Sequence, residues 1–276
     1  MFSLFSRKPL LDEDATRWLF EAYAWALKNF GSDLFYEDTI LVTASDRHFP
    51  DKADNVEEMI ATVFGRVKTY AQMQNWPYQL EMFNPGIVPA TTPEVFIQNA
   101  VRGPDCRIIL TNDAPAITLF YDPNLVKKPE MLIAALSHEL AACLSRATQE
   151  APPGGEELKG HIADFLSIFM GFGLFLANNA FSVCRGSCGG CGMSVQTSGY
   201  LTEDEMTYAL AIFCALKNIQ NPDIFPHLKK TLHPFFKKAL KEIKNNATEL
   251  NRLKSLNYPL KSINASFSKA PALLEQ

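Results

Sequence analysis

The chain has 276 residues, 47% of them hydrophobic and 20% charged, which is an ordinary globular composition with enough length for a sizeable core. Its formal net charge is −4, so whole-molecule charge excludes a polyanion binder of the usual basic kind, and nucleic acid is not an expected partner. The apolar start before Arg7 and Lys8 is too short for a signal-peptide core, so the expected compartment is the cytoplasm, where six cysteines are thiols or metal ligands rather than disulfides.

Residues 11–30 read as a helix. Asp12 or Asp14 can cap it, Leu19, Tyr23, Ala26 and Phe30 recur at helical spacing, and Gly31 suits its end. Residues 39–43, Thr-Ile-Leu-Val-Thr, look like a short buried strand. A second helix is expected over 54–73 and a second strand over 78–83. Residues 84–94 hold Pro85, Gly86, Pro89 and Pro93 and read as a loop and a segment boundary. Residues 107–110 and 116–121 then read as strands joined by a turn at Asn112–Pro115. A helix over 129–146, a Pro-Gly connector over 149–155 and a long helix over 156–178 follow. The apolar run 165–181 is broken by Ser167, Gly171 and Gly173, which favours a buried core helix over a membrane span. Thr202 and Glu205 form a capping box that opens a helix to about Lys217. The last helical region, 225–256, is rich in lysine and reads as a solvated face, and the residues after Tyr258 read as a loose tail. His48 shows no partner, His227 and His233 read as surface or capping residues, and Trp18, Trp25 and Trp76 read as core.

The chemistry concentrates at residues 133–142, Ile-Ala-Ala-Leu-Ser-His-Glu-Leu-Ala-Ala. His138 and Glu139 stand on an apolar helix, and Ala142 lies one turn after His138 on the same face. Together with the order strand, strand, helix, connector, helix over 107–179, this resembles the core of the zincin metallopeptidases of the gluzincin type, whose motif is H-E-x-x-H. The resemblance implies zinc held by the two histidines, with Glu139 as the general base of peptide hydrolysis. It also implies a Glu ligand on the second helix and, four residues later, an Asp that braces the first His. Asp164 matches that Asp, whereas the Glu position falls on Gly160 and the second His position on Ala142. The motif is therefore degenerate. Glu157, His161 and Asp164 recur at spacings of four and three on the second helix, so His138 with His161 and an oxygen from Glu157 or Asp164 forms an alternative zinc donor set. The strand at 117–121 is the expected seat of a peptide, by strand addition.

Three further thiols, Cys184, Cys188 and Cys191, sit at x3 and x2 spacing among glycines. Cys188-Gly-Gly-Cys191 is half of a zinc ribbon, and Cys184 can supply a third thiolate. The alternative is a flexible glycine loop.

These readings give an α+β protein. An N-terminal α/β segment (1–95) precedes a zincin-like core with a Cys-rich loop (96–200), and a helical C-terminal region (201–276) follows. The expected function is metallopeptidase-like, active or degenerate, with a peptide or protein as substrate or partner and no membrane partner. A non-catalytic peptide-binding protein and a metal- or redox-responsive protein using the 184–191 loop remain open.

Overall fold

The structure, a computed structural model, describes residues 9–84, 93–111, 116–148, 150–184, 200–260 and 263–268. It is an α+β fold dominated by helix. In chain order the elements are α1 (Glu13–Phe30), α2 (Ser32–Glu37), α3 (Val56–Tyr70), β1 (Tyr78–Met82), β2 (Glu94–Asn99), β3 (Cys106–Leu110) and β4 (Ile117–Tyr121). Then come α4 (Pro129–Ser145), α5 (Lys159–Ser167), α6 (Gly173–Cys184), α7 (Glu203–Leu216), α8 (Asn221–Ile224), α9 (His233–Asn245), α10 (Ala247–Ser255) and β5 (Ile263–Ser268).

Local chemistry sets the helix starts. The Asp12 carboxylate accepts the Ala15 N–H and opens α1, and Gly31, at φ 84°, ends it. Asn55 caps α3, and the Thr202–Glu205 capping box opens α7 as its sequence requires. Every residue of α7 from Met206 to Leu216 is buried. An apolar helix of that kind has no solvent face and belongs in a core. Residues Ile162 to Ser167 of α5 and Gly173 to Ala180 of α6 are buried in the same way.

The strands form two small sheets. β1 and β4 pair in parallel, with Tyr78 opposite Ile117 and Met82 opposite Tyr121. β3, β2 and β5 form an antiparallel sheet in that order. β3 and β4, the two strands expected over 107–110 and 116–121, are consecutive in the chain and belong to different sheets. β2 lies just past the Pro-rich stretch and was not expected, and neither was β5. Part of the supposed loose tail after Tyr258 is thus a strand paired along β2, with Val95 opposite Phe267.

Residues 39–43 are a second correction. They form no strand. Their extended backbone lies against a π-helical turn, Ile168–Phe172, that divides the long helix expected over 156–178. Gly171 in that turn has φ 101°, and a Cβ there would stand 2.0 Å from the Ile40 carbonyl oxygen. The Val42 N–H donates to the Gly171 carbonyl at 2.9 Å. Close backbone approach and positive φ both require glycine at this position.

One buried apolar cluster draws on all three sequence segments, from Leu19 of α1 to Leu253 of α10. Within it the wholly buried Arg102 guanidinium lies 5.2 Å from the Phe169 ring, which stacks on Phe35 at 4.7 Å. None of its three nitrogens has a hydrogen-bond partner, and burial pulls its pKa down to about 9. One helical run among the described residues, Gly155–Ala180, is long and apolar enough to cross a membrane, and it is mostly buried inside the fold.

Candidate functional site

α4 and α5 pack against each other and carry the residues singled out by sequence. Pro129 starts α4, where a missing N–H costs nothing. Ser137 and Ser167 join the two helices, Oγ to Oγ at 2.7 Å. Ser137 donates its own proton to the Ala134 carbonyl, so Ser167 is the donor between them.

Beside this contact, His138 Nε2 lies 3.4 Å from Asp164 Oδ1. His138 is 5% exposed and Asp164 1%. The separation is long and poorly aligned for a hydrogen bond, and among the described residues neither ring nitrogen of His138 has a hydrogen-bond partner. The other Asp164 oxygen accepts the Leu201 N–H at 2.9 Å. Burial raises the Asp164 pKa to about 7, against smaller downward pulls from the Leu201 and Tyr200 N–H groups and from His161. Burial lowers the His138 pKa, while Glu139 raises it by less. Both shifts run toward the uncharged forms, a carboxylic acid facing a neutral imidazole, and with the carboxyl titrating at about 7 the fold holds it protonated only below that pH.

His161 is half-buried with no partner at Nδ1. Its ring meets Trp18 edge-on at 6.2 Å and Tyr200 at 5.7 Å. Tyr200 explains the glycine before it. A Cβ at Gly160 would stand 2.2 Å from Cδ2 and Cε2 of the Tyr200 ring. The Tyr200 ring thus covers Gly160, and any larger residue there would require the ring to move.

Glu157 is exposed on a short 3-10 turn, Gly155–Leu158, that precedes α5. The helical face it was expected to share with His161 and Asp164 begins only after it. Glu139 is half-buried on α4, and Ala142 is half-buried one turn on. Cys184 closes α6, and Cys188 and Cys191 lie outside the described residues.

A zinc site takes three or four protein ligands. Among the described residues, no three His, Cys, Asp or Glu groups come together as such a set. His138 and Asp164 meet, one Asp164 oxygen accepts the Leu201 N–H, and the His161 ring lies against Trp18 and Tyr200. Among the described residues, then, fewer donors meet than the three protein ligands of a catalytic zinc site.

No family model, no curated protein and no solved structure matches this chain.

The sequence left Tyr200, Leu201 and Trp18 without a role here. Two signals pointed at them: a glycine inside an otherwise apolar helix, and a capping box that holds the Leu201–Thr202 backbone at the start of α7. His48 also departs from expectation. It is 6% exposed, and its Nδ1 accepts the Thr43 N–H at 3.0 Å. That bond places the proton of the neutral ring on Nε2.

Proposed function

We propose that this is a metallopeptidase-like protein of the cytoplasm whose hydrolytic site is degenerate, and that its two-helix frame serves a non-catalytic role in binding a peptide or protein. The observation that carries this reading is the Tyr200 ring seated on Gly160, where the resembled motif has a metal ligand. Ala142 in place of the second His supports it. So does the buried His138–Asp164 pair, whose shifts both favour the uncharged forms. β4 supports the binding role. It belongs to a two-stranded sheet, in which each strand pairs along one edge, and an extended peptide adds to a strand from the other.

Zinc titration by calorimetry tests the frame, on the full chain, on Ala142→His, and on Ala142→His combined with His138→Ala. We expect Ala142→His to bind zinc more tightly than the wild type, with the gain lost when His138 is removed. A folded Ala142→His protein with no gain would show that α4 lacks zincin geometry. A peptide-library assay tests the degeneracy: wild-type hydrolysis that disappears in Glu139→Gln would overturn it.

A further inference from the structure

The extended residues 39–43 also form one wall of a cleft of about 530 Å³. Its other wall is the end of α7 and the turn through α8, from Lys217 to His227. None of its lining residues belongs to α4 or α5. His48 lines this cleft, although only 6% of the residue is exposed. Its Nδ1 accepts the Thr43 N–H at 3.0 Å and lies 2.7 Å from Thr43 Oγ1. Nδ1 carries no proton, so the Thr43 hydroxyl donates to it. Ser45 Oγ, 2.8 Å from Thr43 Oγ1, donates to Thr43 in turn. Tyr70 meets the ring edge-on at 5.6 Å. The imidazole is therefore fixed, with the Nε2–H as its one remaining donor. Among the described residues that N–H has no hydrogen-bond partner, and it is not sealed from solvent. Buried polar groups are paired as a rule, so a fixed donor on a cleft wall is placed for an acceptor from outside the chain.

The charges around this donor are unevenly arranged. Burial lowers the His48 pKa, and the charged side chains that act on it, Arg47 and His227, are basic and lower it too. Lys217 Nζ donates to the Phe35 and Tyr36 carbonyls, which leaves one N–H and the whole charge. Among the described residues, neither Arg47 nor Lys217 pairs with a carboxylate. Glu37 and Asp223 lie on the same lining and oppose a multiply charged guest, so the balance selects a single negative charge. Leu41, Ile219 and Pro222 add an apolar wall. A concave site of this volume takes a small molecule and not a polymer.

We propose that this cleft binds a small organic molecule through a single carboxylate. The carboxylate accepts the His48 Nε2–H and pairs with Arg47 and Lys217, and the apolar body lies on Leu41, Ile219 and Pro222. The site is separate from the α4–α5 frame and does not depend on the metallopeptidase-like reading.

NMR titration of the ¹⁵N-labelled full chain tests the proposal, with hexanoate, hexanol and inorganic phosphate as probes. Hexanoate is expected to shift the Thr43, Ser45 and Ile219 amides and the His48 Nε2–H saturably. Hexanol lacks the charge and should bind roughly tenfold more weakly or worse. His48→Leu should cost hexanoate affinity by a similar roughly tenfold factor, and His48→Gln, which keeps a donor, should recover part of it. Circular dichroism checks that each variant is folded. Arg47→Glu, at an exposed position, reads the charge if the His48 variants are not. Absence of saturable shifts with hexanoate would overturn the proposal, and so would hexanol binding as tightly as hexanoate. Phosphate binding more tightly than hexanoate would overturn the carboxylate assignment. Unchanged hexanoate affinity in folded His48→Leu or Arg47→Glu protein would remove the site.

Discussion

Burial in the fold holds the Asp164 carboxyl protonated up to about pH 7, and this has a measurable consequence. Unfolded, it titrates near 3.9, and folded near about 7. Between those values the folded protein holds a proton that the unfolded chain has lost. The contribution of Asp164 to stability is therefore full below about pH 4 and falls as pH rises to about 7, by roughly 4 kcal/mol across the window. Asp164→Asn keeps an acceptor for the Leu201 N–H and removes the titration. Relative to the wild type, the variant should gain stability steadily between those two pH values, as read from urea midpoints. A difference that stays flat with pH would mean that Asp164 is ionised in the fold. His138 works in the other direction: burial lowers its pKa, so its contribution is present above about pH 6.5 and is lost as pH falls below that. His138, Glu139 and Asp164 were legible as a group because a motif puts chemistry at fixed spacing. Tyr200 was not, because its role comes from lying across Gly160, forty positions earlier in the chain.

At the scale of elements, helical periodicity was readable wherever one face is apolar and the ends carry caps. α1, α3, α4 and α7 lie within a few residues of where their sequences placed them. The failures share a cause. Residues 39–43 have β-branched side chains but no strand to pair with, and their partner is the π turn at Gly171. Propensity describes the chain locally, and the partner is supplied from far away. Gly171→Ala should cost about 2–4 kcal/mol, since it adds a left-handed backbone penalty to a 2.0 Å clash with Ile40. Gly65, inside α3 with open space at its Cβ, is the control. Gly65→Ala should stabilise by about 0.5–1 kcal/mol. Thermal or denaturant unfolding of both variants decides the comparison, and equal effects would remove the steric account of the π turn.

The whole molecule shares one buried cluster, and both sheets join strands distant in sequence, β1 with β4 and β2 with β5. Calorimetry should accordingly show a single unfolding transition with matching calorimetric and van't Hoff enthalpies. Two separate transitions would mean that part of the cluster melts by itself. The sequence alone determined the α+β class, the caps, the burial of the 165–181 run and the candidate trio His138, Glu139 and Asp164. These follow from local periodicity, from hydrogen-bonding side chains at element ends, and from residue types at motif spacing. Tertiary structure alone decided the sheet partners, the π turn under residues 39–43, the strand at 263–268, the opposed pKa shifts of the buried pair and the tyrosine over Gly160. Each of these depends on which distant residues share a volume from which water is excluded, and no local stretch of sequence carries that information.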